Sequence, residues 1–150
     1  MEISKDLFTK FNNISRKSSR RIVELINTRM GDRNLRRYHI TIISVIGSEP
    51  GISQRTVIDR TLYNKARVSI ITAELIEMGY VVNSSSSKIS SLALTRKGKE
   101  VFEECKELFV EHHMRMLDGL SDTEVVFLTE VLSKIDRNLD SMNTSEHYGK

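Results

Sequence analysis

Two polar segments in the middle of the chain carry side chains suited to bind phosphates and base edges. Residues 53–55 read Ser-Gln-Arg, and residues 64–69 read Asn-Lys-Ala-Arg-Val-Ser. Guanidinium, ammonium, amide and hydroxyl groups match the charged backbone and the hydrogen-bonding base edges of duplex DNA. Such contacts require side chains that project from a rigid element, so the neighbouring residues must supply one.

Two short helices are predicted to carry these segments. Ser53 and Asn64 are both residue types that cap a helix N-terminus. The first helix would bury Val57 and Ile58, and the second would run to Met78. The second helix is expected to bury Val68, Ile71, Leu75 and Ile76. It is expected to direct Lys65, Ala66, Arg67, Ser69, Ile70 and Thr72 toward a DNA major groove. This order is typical of a helix-turn-helix.

A hairpin is predicted directly after these helices. Residues 80–82 read Tyr-Val-Val, and Leu92 and Leu94 alternate with small residues, as strand residues do. A serine-rich segment lies between the two strands, and Thr95 is placed to cap a further helix. The hairpin would be the wing of a winged helix-turn-helix over residues 31–99.

Long helices are predicted at both ends of the chain. Apolar residues recur at steps of three and four over residues 4–30 and through much of residues 100–140. One chain could hardly bury both sets, so we expect these arms of two chains to interleave in a twofold dimer. Residues 143–150 carry no pattern and are predicted to fray.

Further signals mark the helix boundaries. A supporting helix is predicted over residues 38–48, with Gly47 and Pro50 as the residues that stop it. Ser121 and Glu124 form a capping box for the last helix, since each side chain can bond the other's backbone N–H. The 150-residue chain is therefore expected to form a single domain that is mainly α with a small β-hairpin wing, an α+β fold.

Composition restricts the class of protein. Hydrophobic residues make up 39% of the chain and charged residues 29%, which argues against a disordered polar chain. No apolar run reaches membrane-spanning length, and the N-terminus lacks the apolar core of a signal peptide. We therefore expect a cytoplasmic protein without membrane contact.

The net charge of +3 is unevenly distributed. Residues 31–99 hold 11 Lys/Arg against 5 Asp/Glu, whereas residues 100–150 hold 5 against 12. A basic middle segment suits phosphate contact, and an acidic segment should face away from DNA. Ordinary solvated helix faces are the alternative, and the coincidence with the helix-turn-helix pattern favours DNA.

Taken in order, these segments resemble the MarR family of winged-helix transcription regulators. The resemblance is carried by residues 40–54 with their Pro-Gly-Ile-Ser-Gln turn, by residues 64–81, and by Leu-Ala-Leu-Thr-Arg-Lys-Gly at residues 92–98. It implies a homodimer that binds an inverted-repeat operator in double-stranded DNA. Family members of this kind are commonly repressors that a small organic ligand releases from DNA.

The resemblance also places the DNA contacts. The residues expected to bind DNA are Gln54, Arg55, Asn64, Lys65, Ala66, Arg67, Ser69, Thr72, Ser86 and Lys88. In the wing, Ser86 and Lys88 stand where many members have an acid and an arginine, so a weaker or less selective minor-groove contact is expected. Alternatively, Lys88 belongs to a solvated turn.

Arg67 is the strongest candidate for reading a base, because a guanidinium can bind both major-groove acceptors of guanine. A phosphate contact or a plain surface charge is the alternative.

An effector site is expected where the N-terminal arm meets the DNA-binding part, with apolar walls and few polar groups. The ligand-binding candidates are Phe11, Ile14, Tyr38, His39 and Ile43. The alternative there is a packed hinge with a hydrogen-bonded histidine.

Catalysis, metal binding and cofactor binding are not expected. The chain has no glycine-rich phosphate loop, no nucleophile with an identifiable base and no zinc motif. Cys105 falls on an apolar stripe, where packing is its expected role. His112 and His113 lie about 100° apart around a helix and cannot bind one metal together. The main alternative to a DNA-binding regulator is a winged-helix dimer that acts through protein partners.

Overall fold

Six α-helices and one two-stranded sheet make up a computed structural model that describes residues 5–84 and 91–145. The elements are α1 (Lys5–Met30), a 3-10 turn (Gly31–Arg33), α2 (Arg37–Ser48), α3 (Gln54–Thr61), α4 (Lys65–Glu77), β1 (Val81–Asn83), β2 (Leu92–Leu94), α5 (Arg96–Met116) and α6 (Asp122–Ser145). The predicted mainly α fold with a small hairpin is confirmed.

The chain divides into two compact units, residues 1–112 and residues 113–150. In the first unit, the end of α1, the helices α2 to α4, the hairpin and the start of α5 all contribute to one apolar core. Its fully buried side chains include Ile26, Met30, Ile40, Ile43, Val57, Leu75, Tyr80, Leu92 and Val101. Burial of each such side chain contributes roughly 1.5–3 kcal/mol, so this core fixes the relative placement of α2, α3 and α4.

Backbone hydrogen bonds connect the wing hairpin to the segment before α3. β1 and β2 pair antiparallel, with Val81 opposite Leu94 and Asn83 opposite Leu92. Ile52 adds an isolated antiparallel bridge to Leu92. The Leu92 N–H donates to the Ile52 carbonyl at 2.8 Å, so the base of the wing and the start of the helix-turn-helix share backbone hydrogen bonds.

The start of α5 lies tightly against the hairpin. Thr95 caps α5, because its Oγ1 accepts from the Gly98 N–H at 3.1 Å, and this predicted cap is confirmed. A Cβ on Gly98 would lie 2.1 Å from the Tyr80 carbonyl oxygen. Only glycine permits this approach, so residue 98 is needed for packing.

The glycine in α2 also serves packing. α2 ends at Ser48, as predicted, so Gly47 lies in its last turn. A Cβ at Gly47 would lie 2.5 Å from the Phe102 ring. The missing side chain therefore allows the ring on α5 to pack against α2.

In the second unit, α6 begins with the predicted capping box. The Ser121 N–H donates to Glu124 Oε2 at 2.8 Å, and the Glu124 N–H donates to Ser121 Oγ at 3.4 Å. The Ser121 N–H and the Ser121 hydroxyl both donate to Glu124 Oε2 and hold the pKa of Glu124 below its usual value. α6 extends to Ser145, so residues 143–145 of the segment expected to fray are helical. Residues 146–150 lie outside the described part of the chain.

Both long helices expose apolar side chains. The N-terminal half of α1 exposes Leu7, Phe8, Phe11 and Ile14, and α6 exposes Leu128, Leu132, Ile135 and Leu139. Of the α6 residues whose burial is described, 122–142, none is fully buried. No helix in residues 5–84 or 91–145 has the length and hydropathy required to cross a membrane.

Candidate DNA-binding interface

α3 and α4 form a helix-turn-helix whose two N-termini are capped by side chains. Ser53 Oγ accepts from the Thr56 N–H at 3.1 Å, and Asn64 Oδ1 accepts from the Arg67 N–H at 2.9 Å. Both predicted caps are confirmed. Leu62 closes the turn between the helices with a left-handed φ of 56°. The start of α4 is therefore fixed in direction.

The C-terminal end of α4 is also held by hydrogen bonds. Lys97 Nζ donates to the Met78 carbonyl at 2.9 Å, and Thr95 Oγ1 donates to the Gly79 carbonyl at 2.7 Å. A cation at a helix C-terminus interacts favourably with the helix dipole. The residues that begin α5 thus anchor the end of α4.

A buried histidine holds the middle of α4. His39 on α2 is 4% exposed, and its Nε2 lies 2.9 Å from Glu74 Oε2. Its Nδ1 accepts from the Arg36 N–H at 3.0 Å. A backbone N–H can only donate, so Nδ1 is unprotonated and Nε2 carries the hydrogen that bonds the carboxylate. α4 is therefore connected to α2 by a hydrogen bond as well as by apolar packing.

The first turn of α4 presents the predicted groove-facing residues. Asn64, Lys65, Ala66 and Arg67 are exposed, and Ser69 is half-buried. These are the residues that a duplex could contact without any change in the core.

An aromatic ring lies beneath the best candidate for base recognition. The Arg67 guanidinium carbon is 4.4 Å from the centre of the Tyr63 ring. A cation over a ring face is attracted to it, which limits the directions that the guanidinium can take. Tyr63 was not among the residues predicted from the sequence, although it directly precedes the helix cap Asn64.

α3 contributes a basic but partly paired surface. Arg55 is exposed and its Nε lies 3.2 Å from Asp59 Oδ1, while Arg60 forms an ion pair with Glu49. Gln54, at the first position of the helix, is half-buried. Exposed ion pairs of this kind contribute little to stability, so these arginines can exchange partners at low cost.

Thr72 does not belong to the exposed face. Its side chain is 0% exposed, so the expectation that it faces the groove is wrong. Ile76, expected in the core, is instead 41% exposed. Positions 68, 71, 72 and 75 follow the spacing of one helix face, so Thr72 occupies the core position although its side chain is polar.

The wing residues expected to bind DNA, Ser86 and Lys88, lie outside the described part of the chain. The strands on either side of them in the sequence are described, and the register of these strands fixes where the wing begins. Ser84 is the last described residue on one side, and Ser91 is the first on the other. The proposed minor-groove contact therefore stays a prediction.

Comparison with known proteins gives a sequence relative and several similar solved structures. No family model matches the chain. The HTH-type transcriptional regulator BilQ of Clostridium symbiosum (strain WAL-14163) is 25% identical over 99 residues, which is 64% of this chain and 69% of BilQ.

Solved structures match nearly the whole chain. A MarR transcriptional regulator from Methanosarcina mazei Go1 superposes with a TM-score of 0.77 and 19% identity, covering 93% of both chains. FabT of Streptococcus pneumoniae, solved in complex with DNA, superposes with a TM-score of 0.75 and 22% identity, covering 94% of this chain and 97% of that one. The chain has the MarR winged-helix fold. The resemblance seen in the sequence is thus confirmed in the fold.

The fold of this chain does not bring the expected effector residues together in one place. Tyr38 and His39 line a cavity of about 370 Å³ together with Glu74. Phe11 and Ile14 do not line it and are 52% and 58% exposed. The last candidate, Ile43, is fully buried in the core. The five candidates therefore do not form the apolar pocket that was expected.

A second cavity in the MarR fold has the apolar walls that an effector requires. It measures about 280 Å³ between α1, α2 and α5. Its lining includes Ile22, Ile26, Ile40, Val45 and Phe109, with Arg37 as the charged group. The sequence pattern alone could not show it, because its walls come from three helices.

Cys105 lies in the core of the MarR fold. Its side chain is 1% exposed, and burial raises the pKa of the thiol to about 12. A thiol in this state is a poor nucleophile. Within residues 5–84 and 91–145, no group of three His, Cys, Asp or Glu side chains is placed to hold a metal ion.

Proposed function

We propose that this chain is a sequence-specific regulator of transcription that binds double-stranded DNA as a homodimer. In this proposal α4 enters the major groove and the pair of chains binds an inverted repeat as a repressor. The observation that carries the proposal is the first turn of α4, where exposed Lys65 and Arg67 project from a helix whose ends and middle are all anchored. A fixed helix can hold side chains in register with base edges.

The relatives support this proposal. BilQ is named an HTH-type transcriptional regulator, and the FabT structure contains DNA. The charge distribution agrees with it, since residues 31–99 are basic and residues 100–150 are acidic. Phosphate binding by lysine and arginine supplies much of the affinity in such complexes.

The homodimer is supported by the exposed apolar rows on α1 and α6. Phe8 and Phe11 on α1 are 67% and 52% exposed, and Ile135 and Leu139 on α6 are 41% and 55% exposed. Rows of this kind mark surfaces for association, because leaving them in water costs free energy. Twofold pairing of the chains would set two copies of α4 about one duplex turn, roughly 34–36 Å, apart.

Release by a small ligand is the third part of the proposal. The apolar cavity between α1, α2 and α5, about 280 Å³ in volume, would hold the effector. Arg37 at its wall favours a ligand with an apolar body and a carboxylate. Such a ligand would contact both the arm and the helix that supports the helix-turn-helix.

Selection of bound duplexes from a random pool tests the proposal. The purified chain is mixed with the pool at about 0.15 M salt, and the enriched duplex is then titrated against a scrambled duplex. We expect an inverted repeat that binds about a thousandfold more tightly than the scrambled sequence.

The opposite result points to a different function. If no duplex is enriched and only weak, salt-dependent binding is seen, sequence-specific regulation is excluded. A winged-helix dimer that acts through protein partners would then explain the fold better.

A further inference from the structure

The outward face of α4 carries an apolar row, which we define as Ala66, Ile70 and Ala73. These residues follow one another at steps of four and three, which places them on one side of the helix. All three are exposed, and Ile70 keeps 61% of its surface accessible. The opposite side of the helix is already buried through Val68, Ile71, Thr72 and Leu75. The core therefore does not account for the apolar row.

Charges around the apolar row favour a nucleic acid as its occupant. Exposed Lys65 and Arg67 flank the row at the N-terminus of α4, where the helix dipole is also positive. Continuing the row by four residues leads to Glu77, so the charge changes sign after Ala73. A polyanion is thus attracted to the first half of α4 and repelled by its last turn.

We propose that the apolar row, and Ile70 above all, recognises the 5-methyl groups of thymine in the major groove. This inference rests on the proposed function, because it requires α4 to enter that groove. The thymine methyl is the one apolar group on the major-groove edges of the four bases. Duplex DNA therefore offers both groups that suit the surface of α4. Its phosphates suit the charged residues, and the thymine methyl groups of the major groove suit the apolar row.

The chemistry of Ile70 explains the preference for thymine. Its side chain can neither donate nor accept a hydrogen bond. Facing a cytosine amine or a guanine carbonyl, it would displace water from that group without replacing the hydrogen bond. Facing thymine, it buries a methyl group instead. Ile70 therefore selects against G·C pairs as well as for T·A pairs.

The test removes the methyl group from DNA and the side chain from the protein. The duplex enriched by the wild-type chain is resynthesised with deoxyuridine in place of thymidine, one position at a time. Uracil pairs like thymine and lacks only the methyl group. We expect at least one position in each half-site where the substitution weakens binding about fourfold, the value of one buried methyl group.

The variant Ile70→Ala should abolish this difference, so that the thymidine and deoxyuridine duplexes bind it equally. Ile76→Ala is the matched control, because it changes the same residue type on the same helix, six residues beyond Ile70 and about 120° around the helix from it. Both side chains are exposed, at 61% and 41%, so neither change should prevent folding. The control should keep the preference of the wild-type chain for thymidine.

Different results distinguish failure of the proposed function from failure of the thymine contact. Failure to enrich any duplex would overturn the proposed function together with this inference. A specific duplex whose deoxyuridine forms all bind normally would overturn the inference alone. A methyl preference that persists in Ile70→Ala would assign the contact to another residue and would also overturn it.

Discussion

Arg67 is the candidate DNA contact whose orientation is best defined by its surroundings. Its guanidinium lies over the Tyr63 ring at 4.4 Å, so its fork is partly oriented before any duplex arrives. If it binds guanine, Arg67→Ala should relax specificity at one position in each half-site, by roughly 1–3 kcal/mol. Titration against a set of operators changed at single positions measures this.

Tyr63 supplies the control for that prediction. Tyr63→Leu keeps an apolar side chain and removes the ring, so it should weaken binding less than Arg67→Ala does. In the Arg67→Ala background it should have no further effect on binding. If Arg67→Ala instead weakens binding to every sequence equally, the arginine binds phosphate.

Thr72 allows a prediction about stability. Its Oγ1 is buried and has no hydrogen-bond partner among the described residues. Thr72→Val keeps the branched shape and removes the unpaired hydroxyl, so it should raise the free energy of unfolding by roughly 1 kcal/mol. Urea unfolding at matched protein concentration measures this through a shifted midpoint with an unchanged slope. A destabilised variant would show that the hydroxyl has a partner after all.

The Cys105 thiol should be unreactive in the folded protein. Burial raises the pKa of its thiol to about 12, and the thiolate is the form that reacts with iodoacetamide. An unfolded thiol has a pKa of about 8.5, so folding disfavours the thiolate and stability should fall as pH rises above that value. At about pH 8.5 we expect slow alkylation in buffer and fast alkylation in urea. Equal rates in both would mean that the thiol is accessible in the fold.

At the scale of elements, one hydrogen bond from α2 helps to hold α4 in position. His39 donates from Nε2 to Glu74, and its Nδ1 accepts from the Arg36 N–H at the start of α2. His39→Phe keeps a buried ring and loses both hydrogen bonds. A double-mutant cycle with Glu74→Ala should give a coupling energy of roughly 1 kcal/mol in unfolding experiments.

The same pair should affect DNA binding, because it helps to orient α4. Glu77→Ala is the matched control, since it removes a carboxylate from the same helix without a hydrogen bond to His39. It should show no coupling with His39→Phe. Additive effects of His39→Phe and Glu74→Ala would show that the hydrogen bond does not contribute.

Most elements and their boundaries could be predicted from local signals. Ser53, Asn64, Thr95 and Ser121 all cap helices as expected, because capping depends only on residues within one turn. The hairpin could likewise be predicted from local residue patterns. Glycine roles were harder to predict, since Gly47 contacts Phe102 from a distant helix.

Residue type misled the prediction of the α4 core. Ile76 is more apolar than Thr72, yet the spacing of Val68, Ile71 and Leu75 places position 72 on the buried face. The angle around the helix therefore decides burial here more than side-chain polarity does.

The prediction of the effector residues was wrong for another reason. Phe11 and Tyr38 are far apart in sequence, and only the tertiary fold shows that they do not line one cavity.

At the scale of the whole molecule, the long helices are hard to explain without a second copy of the chain. Leu128, Leu132, Ile135 and Leu139 lie on one side of α6 and are 39% to 55% exposed. Burying side chains of this size contributes roughly 1.5–3 kcal/mol each when they are fully removed from water. Four of them on each of two chains would supply a large part of the free energy of a stable dimer.

A charge in the middle of this row should prevent dimerisation. Leu132→Glu would place a carboxylate in an apolar interface, where it has no partner and loses its hydration. We expect light scattering to show a dimer for the wild-type chain and a monomer for Leu132→Glu at the same concentration. The affinity for the inverted repeat should then fall by more than the contribution of one half-site. The reason is that the two copies of α4 no longer bind as one unit.

Ser133→Glu is the control for this experiment. Ser133 is exposed on the same helix, and its hydroxyl donates to the Thr129 carbonyl at 2.8 Å. A residue at this position points about 100° away from Leu132, outside the apolar row. The control should therefore stay dimeric with the same added charge. A wild-type chain that is monomeric at all concentrations would exclude the dimer, and an inverted-repeat operator would then require assembly on the DNA itself.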